Sequence, residues 1–357
     1  MKACFGGQAV ALATAVIFCF TSISPVVALE SRTGAPLDAA VNLVQPSALA
    51  PGLLASKHTK KAKKERDRIA KRAYANSKVL LDDSHKLAAD SLVFGAGLSK
   101  ANKKLFTKRL AQAMSMWDQD YGVIENYRAY IFTSTDLAWA NEQAAISGDR
   151  VPFGSWEAWQ AKLNPGSGCV GAFAQANRFY MCTSRDPDFG FQAVTVAHEY
   201  FHSIQSVIGL RHDNVPVWVT EGSAQYLGFV STAGGFLAMR DGARNSGSPY
   251  FFDKFGLNRF EDYIKLATLQ DIQLLYGALE VGPTAASMAP MEAYNGYNFG
   301  ALAVEFLIGK YGYQTFMSFL EDIGSGTPWT QAFQERFKIS KDQFYQDLHP
   351  YLQMIYR

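Results

Sequence analysis

The feature that most constrains this chain is a pair of histidines four positions apart, His198 and His202. Glu199 lies between them, and Glu221 follows His202 by nineteen positions. On a helix, at about 100° per residue, side chains four apart sit only about 40° apart around the axis. Both imidazoles can then share one cation, and a carboxylate from a neighbouring element can supply a third ligand. Three protein ligands leave a fourth position open, which separates catalytic zinc from structural zinc. The pattern therefore calls for a helix here and for a second element, carrying Glu221, packed closely against it.

The flanking residues fit a helix over 191–208. Val196, Ala197, Tyr200, Phe201, Ile204, Val207 and Ile208 fall on one side. Thr195, Ser206, both histidines and Glu199 fall on another. The expectation is a buried apolar face and a separate polar one. Asp186 or Asp188 can begin the helix and Gly209 can end it. Five positions that specify only three residues are weak evidence alone, and the plain alternative is a surface helix with two solvated histidines. Against it stand the uncharged apolar flanks and the use of two of only six histidines at this spacing. Glu221 has a plain alternative too, as a first-turn glutamate favoured by the helix dipole. That reading leaves Gly222 and Ala224 unexplained, whereas small residues there let two helices approach closely enough for a carboxylate to reach the metal.

His198-Glu199-x-x-His202-x18-Glu221, with Trp218, Gly222, Ala224 and Tyr226, resembles the gluzincin metallopeptidases. That superfamily includes thermolysin-like and aminopeptidase-like enzymes. The resemblance implies an α+β, zincin-like fold. An N-terminal mixed α/β sublobe would hold the active-site helix, a mainly helical C-terminal sublobe would follow, and the cleft would lie between them. It implies one Zn²⁺ on His198, His202 and Glu221, with Glu199 as general base and then acid. Tyr297-Asn298-Phe299-Gly300 gives a second match: a tyrosine three residues before a glycine, opening an apolar helix, which in such enzymes donates to the transition-state oxyanion. Tyr294, His212 and His349 compete for that role. Gly171, Ala172 and Phe173 fit an edge strand that pairs with substrate backbone. This strand carries no acidic residue, and the glycine-rich exopeptidase signature is absent, so an endopeptidase is expected rather than an aminopeptidase. Gln225 stands where thermolysin-like members place an aspartate that orients a ligand histidine, and it is expected to accept a hydrogen bond in its stead.

The rest of the chain sets the context. Lys2, an apolar run over 10–20 and the small residues Val26-Val27-Ala28 read as a cleavable signal peptide over 1–28. A membrane anchor would need a longer run with a basic flank after it. Phe18 is too large to precede a lipid-bearing Cys19. A secreted or extracytoplasmic protein is expected. Residues 29–100 read as a pro-segment or linker, strongly basic over 57–72. That stretch suits a solvated helix, a cleavage segment or contact with an anionic cell envelope. The resemblance implies a gluzincin-like metallopeptidase domain over residues 101–357. The 357 residues are 48% apolar, enough for a sizeable core, and the net charge of +2 gives no argument for nucleic acid.

Signal removal leaves Cys169 and Cys182, expected to form a disulfide that staples a hairpin over 170–182. Helical spacing is seen over 103–117 and strand character over 127–132. Mostly helical patterns follow the Glu221 segment, with loops near 241–249 and 278–290. The function expected is a secreted, monomeric, zinc-dependent peptidase acting on peptides or proteins. Two rivals remain: an exported non-catalytic binding or envelope protein on the same scaffold, and a zinc hydrolase of a non-peptide amide or ester.

Overall fold

The computed structural model describes residues 58–78, 86–88, 90–122, 124–163, 171–175, 177–183, 189–210, 215–231, 239–240, 243–244, 246–280 and 295–356. It is a mixed α+β fold, predominantly helical, with one small mixed sheet. The sheet is built from β1 (Leu92–Phe94), β2 (Arg128–Phe132), β3 (Gly171–Gln175) and β4 (Arg178–Cys182), in the order β1-β2-β4-β3. β1, β2 and β4 run parallel, and β3 turns back antiparallel on β4 with Gly171 opposite Cys182. The hairpin expected over 170–182 is thus β3 and β4.

Strand alternation sends side chains to two different cores. Ala129, Ile131, Ala172, Ala174, Phe179 and Met181 join the large core that includes the main helices. Tyr130, Phe132, Phe173, Tyr180 and Cys182 face a second, aromatic layer. There Tyr130 stacks on Tyr180 at 4.7 Å, and Tyr180 on Phe173 at 5.1 Å. α3 (Leu137–Ser147) and α4 (Trp156–Leu163) cover this layer with Leu137, Ala140, Trp156 and Trp159. At its margin the buried Asp149 carboxylate accepts from Arg178 Nε (2.6 Å) and Tyr180 Oη (2.7 Å). Strands covered on both faces in this way, β2 and β4 here, read as nearly continuous apolar runs.

The other face carries α2 (Lys100–Tyr121) and α5 (Phe189–Val207). Trp117 of α2 packs at 5.0 Å on Phe201 of α5. Next comes α6 (Val217–Val230), in which only Phe229 is not fully buried. The chain continues through α7 (Pro249–Phe255), α8 (Phe260–Leu266), α9 (Leu269–Ala278), α10 (Gly296–Tyr311), α11 (Tyr313–Gly324), α12 (Trp329–Phe337) and α13 (Lys341–Met354). α6 and α10 cross backbone to backbone. A Cβ on Gly222 would lie 2.3 Å from the Gly300 carbonyl carbon, and one on Gly300 would lie 2.7 Å from the Gly222 Cα. The close approach expected of Gly222 is therefore toward α10, and Gly228 is the glycine that admits α5. A Cβ there would meet Val194 Oat 2.8 Å and His198 Cβ at 3.5 Å. Gly300→Ala is expected to cost about 1–3 kcal/mol, because the clash is with backbone that cannot swing aside. Urea denaturation measures it; an unchanged midpoint would show that the crossing is looser than described.

Part of the stretch expected as a pro-segment or linker is folded onto the rest of the described residues. α1 (His58–Lys78) lies against α10, burying Ile69, Ala70 and Ala73. Arg66 donates to the carbonyls of Met354 (2.8 Å) and Ile355 (3.2 Å). With β1 added to the sheet, the folded body begins well before residue 101. Lys64, Arg68, Lys71 and Arg72 remain exposed, so the basic stretch is a helix with one buried face. The expected signal peptide lies outside the described residues.

Candidate metal centre

α5 begins at Phe189 and runs unbroken through both histidines, close to the span expected from the sequence. Its apolar side packs on the sheet and α2. Most of the side expected to be polar and separate is buried as well, with Ser206 exposed near its end: His198 and Glu199 are 0% exposed and His202 6%. The reason is α6, which lies along that side and brings Glu221, itself 2% exposed, to the pair. Burial at this level removes the surface-helix alternative.

The three donors converge. His198 Nε2 and His202 Nε2 are 3.1 Å apart, and Glu221 Oε2 is 3.5 Å from each. An N–O separation of 3.5 Å is too long for a good hydrogen bond, so the carboxylate faces the imidazoles without bonding them. Donors held by one tetrahedral ion at about 2.1 Å stand about 3.4 Å apart. The triangle matches that spacing, and the group is the one set of His, Cys, Asp or Glu side chains among the described residues arranged to hold a metal ion.

Proton placement supports the same conclusion. The Gln205 amide donates through Nε2 to the Thr220 carbonyl (2.9 Å) and to Ser223 Oγ (3.0 Å). A carbonyl can only accept, so the Gln205 oxygen is the atom facing His202 Nδ1 at 2.7 Å. His202 Nδ1 must then carry the hydrogen, and in the neutral ring Nε2 keeps its lone pair. Gln225 Oε1 lies 3.2 Å from His198 Nδ1. Burial pulls the His198 imidazole below its ordinary pKa, which favours the neutral, ligating form. Two imidazole nitrogens and a carboxylate aimed at one buried point suit a cation. The sequence reading missed Gln205; its signal was an amide side chain three positions after His202, on the same side of the helix.

Glu199 sits beside the triad and is not part of it. Both its oxygens are buried and accept no hydrogen bond from the described residues. Buried polar atoms of this kind require water or a ligand. Burial pushes the Glu199 carboxyl up to about 8, offset in part by His202 and reinforced by Glu221. A dication on the triad would act the other way and favour the carboxylate. Tyr127, whose ring meets Tyr200 edge-on at 4.9 Å, is near enough for the Glu199 charge to add to burial in raising its phenol.

Tyr297 is in the first turn of α10, with its ring centroid 6.2 Å from that of His198. Asn295, at φ 56°, turns the chain into that helix. Asn298 Nδ2 donates to Asn295 Oδ1 (2.7 Å) and to Ser246 Oγ (3.1 Å), which fixes the turn. His349 binds the Ala267 carbonyl at 2.8 Å and serves structure. Tyr294 and His212 lie outside the described residues. Gly171, Ala172 and Phe173 form the start of β3, an edge strand among the described residues, on the side of the sheet order away from β1. Gly171 abuts Trp159, whose Nε1 would be 2.8 Å from an added Cβ. Cys182 is buried at the end of β4; Cys169 lies outside the described residues.

The chain matches no protein-family model, no curated protein and no solved structure.

Proposed function

We propose that this chain is an exported zinc-dependent peptidase of the gluzincin kind, cutting peptide bonds within peptides or proteins. The observation that carries the reading is the convergence of His198, His202 and Glu221 from two helices, with Glu199 at their side, its carboxylate accepting no hydrogen bond from the described residues. Bound zinc would supply Lewis acidity and make water a nucleophile near neutral pH. His198, His202 and Glu221 would hold the ion. Glu199 would take the proton of the attacking water at its carboxylate and pass it to the leaving amine. Tyr297 would donate to the developing oxyanion. The edge of β3, outermost of the strands among the described residues, would pair with extended substrate backbone at Gly171, Ala172 and Phe173. Zincin-like describes this arrangement best, with the sheet and α5 on one side and the helices from α6 onward on the other.

Metal analysis tests the reading, followed by digestion of a peptide library with and without chelator. Cleavage that needs the metal is the expected result. A well-folded protein holding less than half a mole of zinc per mole, after purification with added metal, would refute it. No helix among the described residues is long and apolar enough to cross a membrane. Export also underlies the Cys169–Cys182 bridge, because disulfides persist in oxidising compartments. Thiol titration of the unreduced mature protein should find no free thiol, and two would remove the bridge.

A further inference from the structure

We propose that Gln205 is a positioning residue that ties the two metal-binding helices together and locks His202 as the fixed ligand, leaving His198 as the adjustable one. This rests on the metal reading above. The two ligand histidines have unequal support. Gln225 meets His198 at 3.2 Å. Gln205 meets His202 at 2.7 Å and spends its amide hydrogens on α6, on the Thr220 carbonyl and on Ser223 Oγ. Ser223 is itself anchored to the Val219 carbonyl at 2.6 Å. Thr220 immediately precedes Glu221, the third ligand. One side chain thus bonds the second ligand and the backbone beside the third.

The amide suits the task for a chemical reason. It must accept from an imidazole N–H and donate to a carbonyl at once. A carboxylate in its place could accept but would repel the Thr220 oxygen. Because the carbonyl fixes which end of the amide faces His202, the ring tautomer is set before any metal arrives. Preorganised outer partners of this sort change metal affinity by about 10–100-fold.

The test compares Gln205→Met with Gln225→Met, both near in size and unable to hydrogen-bond in this way. Zinc affinity is read by chelator competition, and visible spectra of the cobalt-loaded proteins report ligand geometry. Wild type should bind one zinc, Gln205→Met should bind it at least about tenfold more weakly with an altered cobalt spectrum, and Gln225→Met should lose less. Circular dichroism of the zinc-free proteins separates misfolding from lost positioning. If Gln205→Met is misfolded, Ser223→Ala replaces it as the probe: it frees one amide hydrogen and should weaken zinc several-fold. Equal or smaller loss in Gln205→Met than in Gln225→Met, or no loss in Ser223→Ala, would overturn the tether. A wild type that binds no zinc would instead refute the metal reading.

Discussion

Glu199→Gln should leave a folded, metal-loaded protein whose turnover falls by about 10²–10⁴-fold. The substitution is nearly isosteric, and it breaks no hydrogen bond to the described residues, since neither Glu199 oxygen accepts one. A neutral amide is also easier to bury than an ionised carboxyl, so stability should be unchanged or slightly higher. What disappears is the ability to accept and return a proton. Three measurements on one preparation separate the cases: zinc content, melting temperature and kcat. Full activity would overturn Glu199 as the base. Loss of zinc together with activity would instead make it a ligand, at odds with a triad complete without it.

Stripping the metal should lower the melting temperature on the order of 10 °C, restored by adding zinc back. A ligand that binds only the native state at a thousand times its Kd adds about 4 kcal/mol, and each kcal/mol is about 2–4 °C in a chain somewhat smaller than this one. The structure supplies the reason for a large effect: the two imidazole nitrogens and the carboxylate stand within 3.5 Å of one another in a buried space, where a bound cation would join α5 to α6. His202→Ala removes one ligand of three, and its melting temperature should no longer respond to zinc or chelator. Scanning calorimetry of both proteins, with and without chelator, gives the answer. A wild type insensitive to chelation and a His202→Ala variant identical to it would refute the site.

The centre was legible because its code is local. His198 and His202 state their geometry by spacing alone, and α5 was expected over 191–208 and observed from Phe189 to Val207. Aromatic and β-branched residues likewise marked β2, and alternation around turn residues marked the β3–β4 hairpin. What the sequence concealed depends on distant partners. α1 reads as a charged segment, because its buried apolar positions, Ile69, Ala70 and Ala73, lie among many lysines and arginines, and their burial comes from α10 and α13. Burial of the polar side of α5 needs α6, which periodicity within α5 cannot show. Gly222 announced a close crossing without naming its partner, which is Gly300. Gln205 is an ordinary polar residue until Thr220 and Ser223 are brought to it.

α6 has almost no solvent-facing side, and Glu221 lies near its beginning. In an unfolded chain the two histidines are already neighbours, but the carboxylate joins them only when α6 has slotted between α5 and α10. Full-strength metal capture would therefore come late in maturation and mark its completion, so that uptake of the ion could be used as a clock for assembly of the helical half.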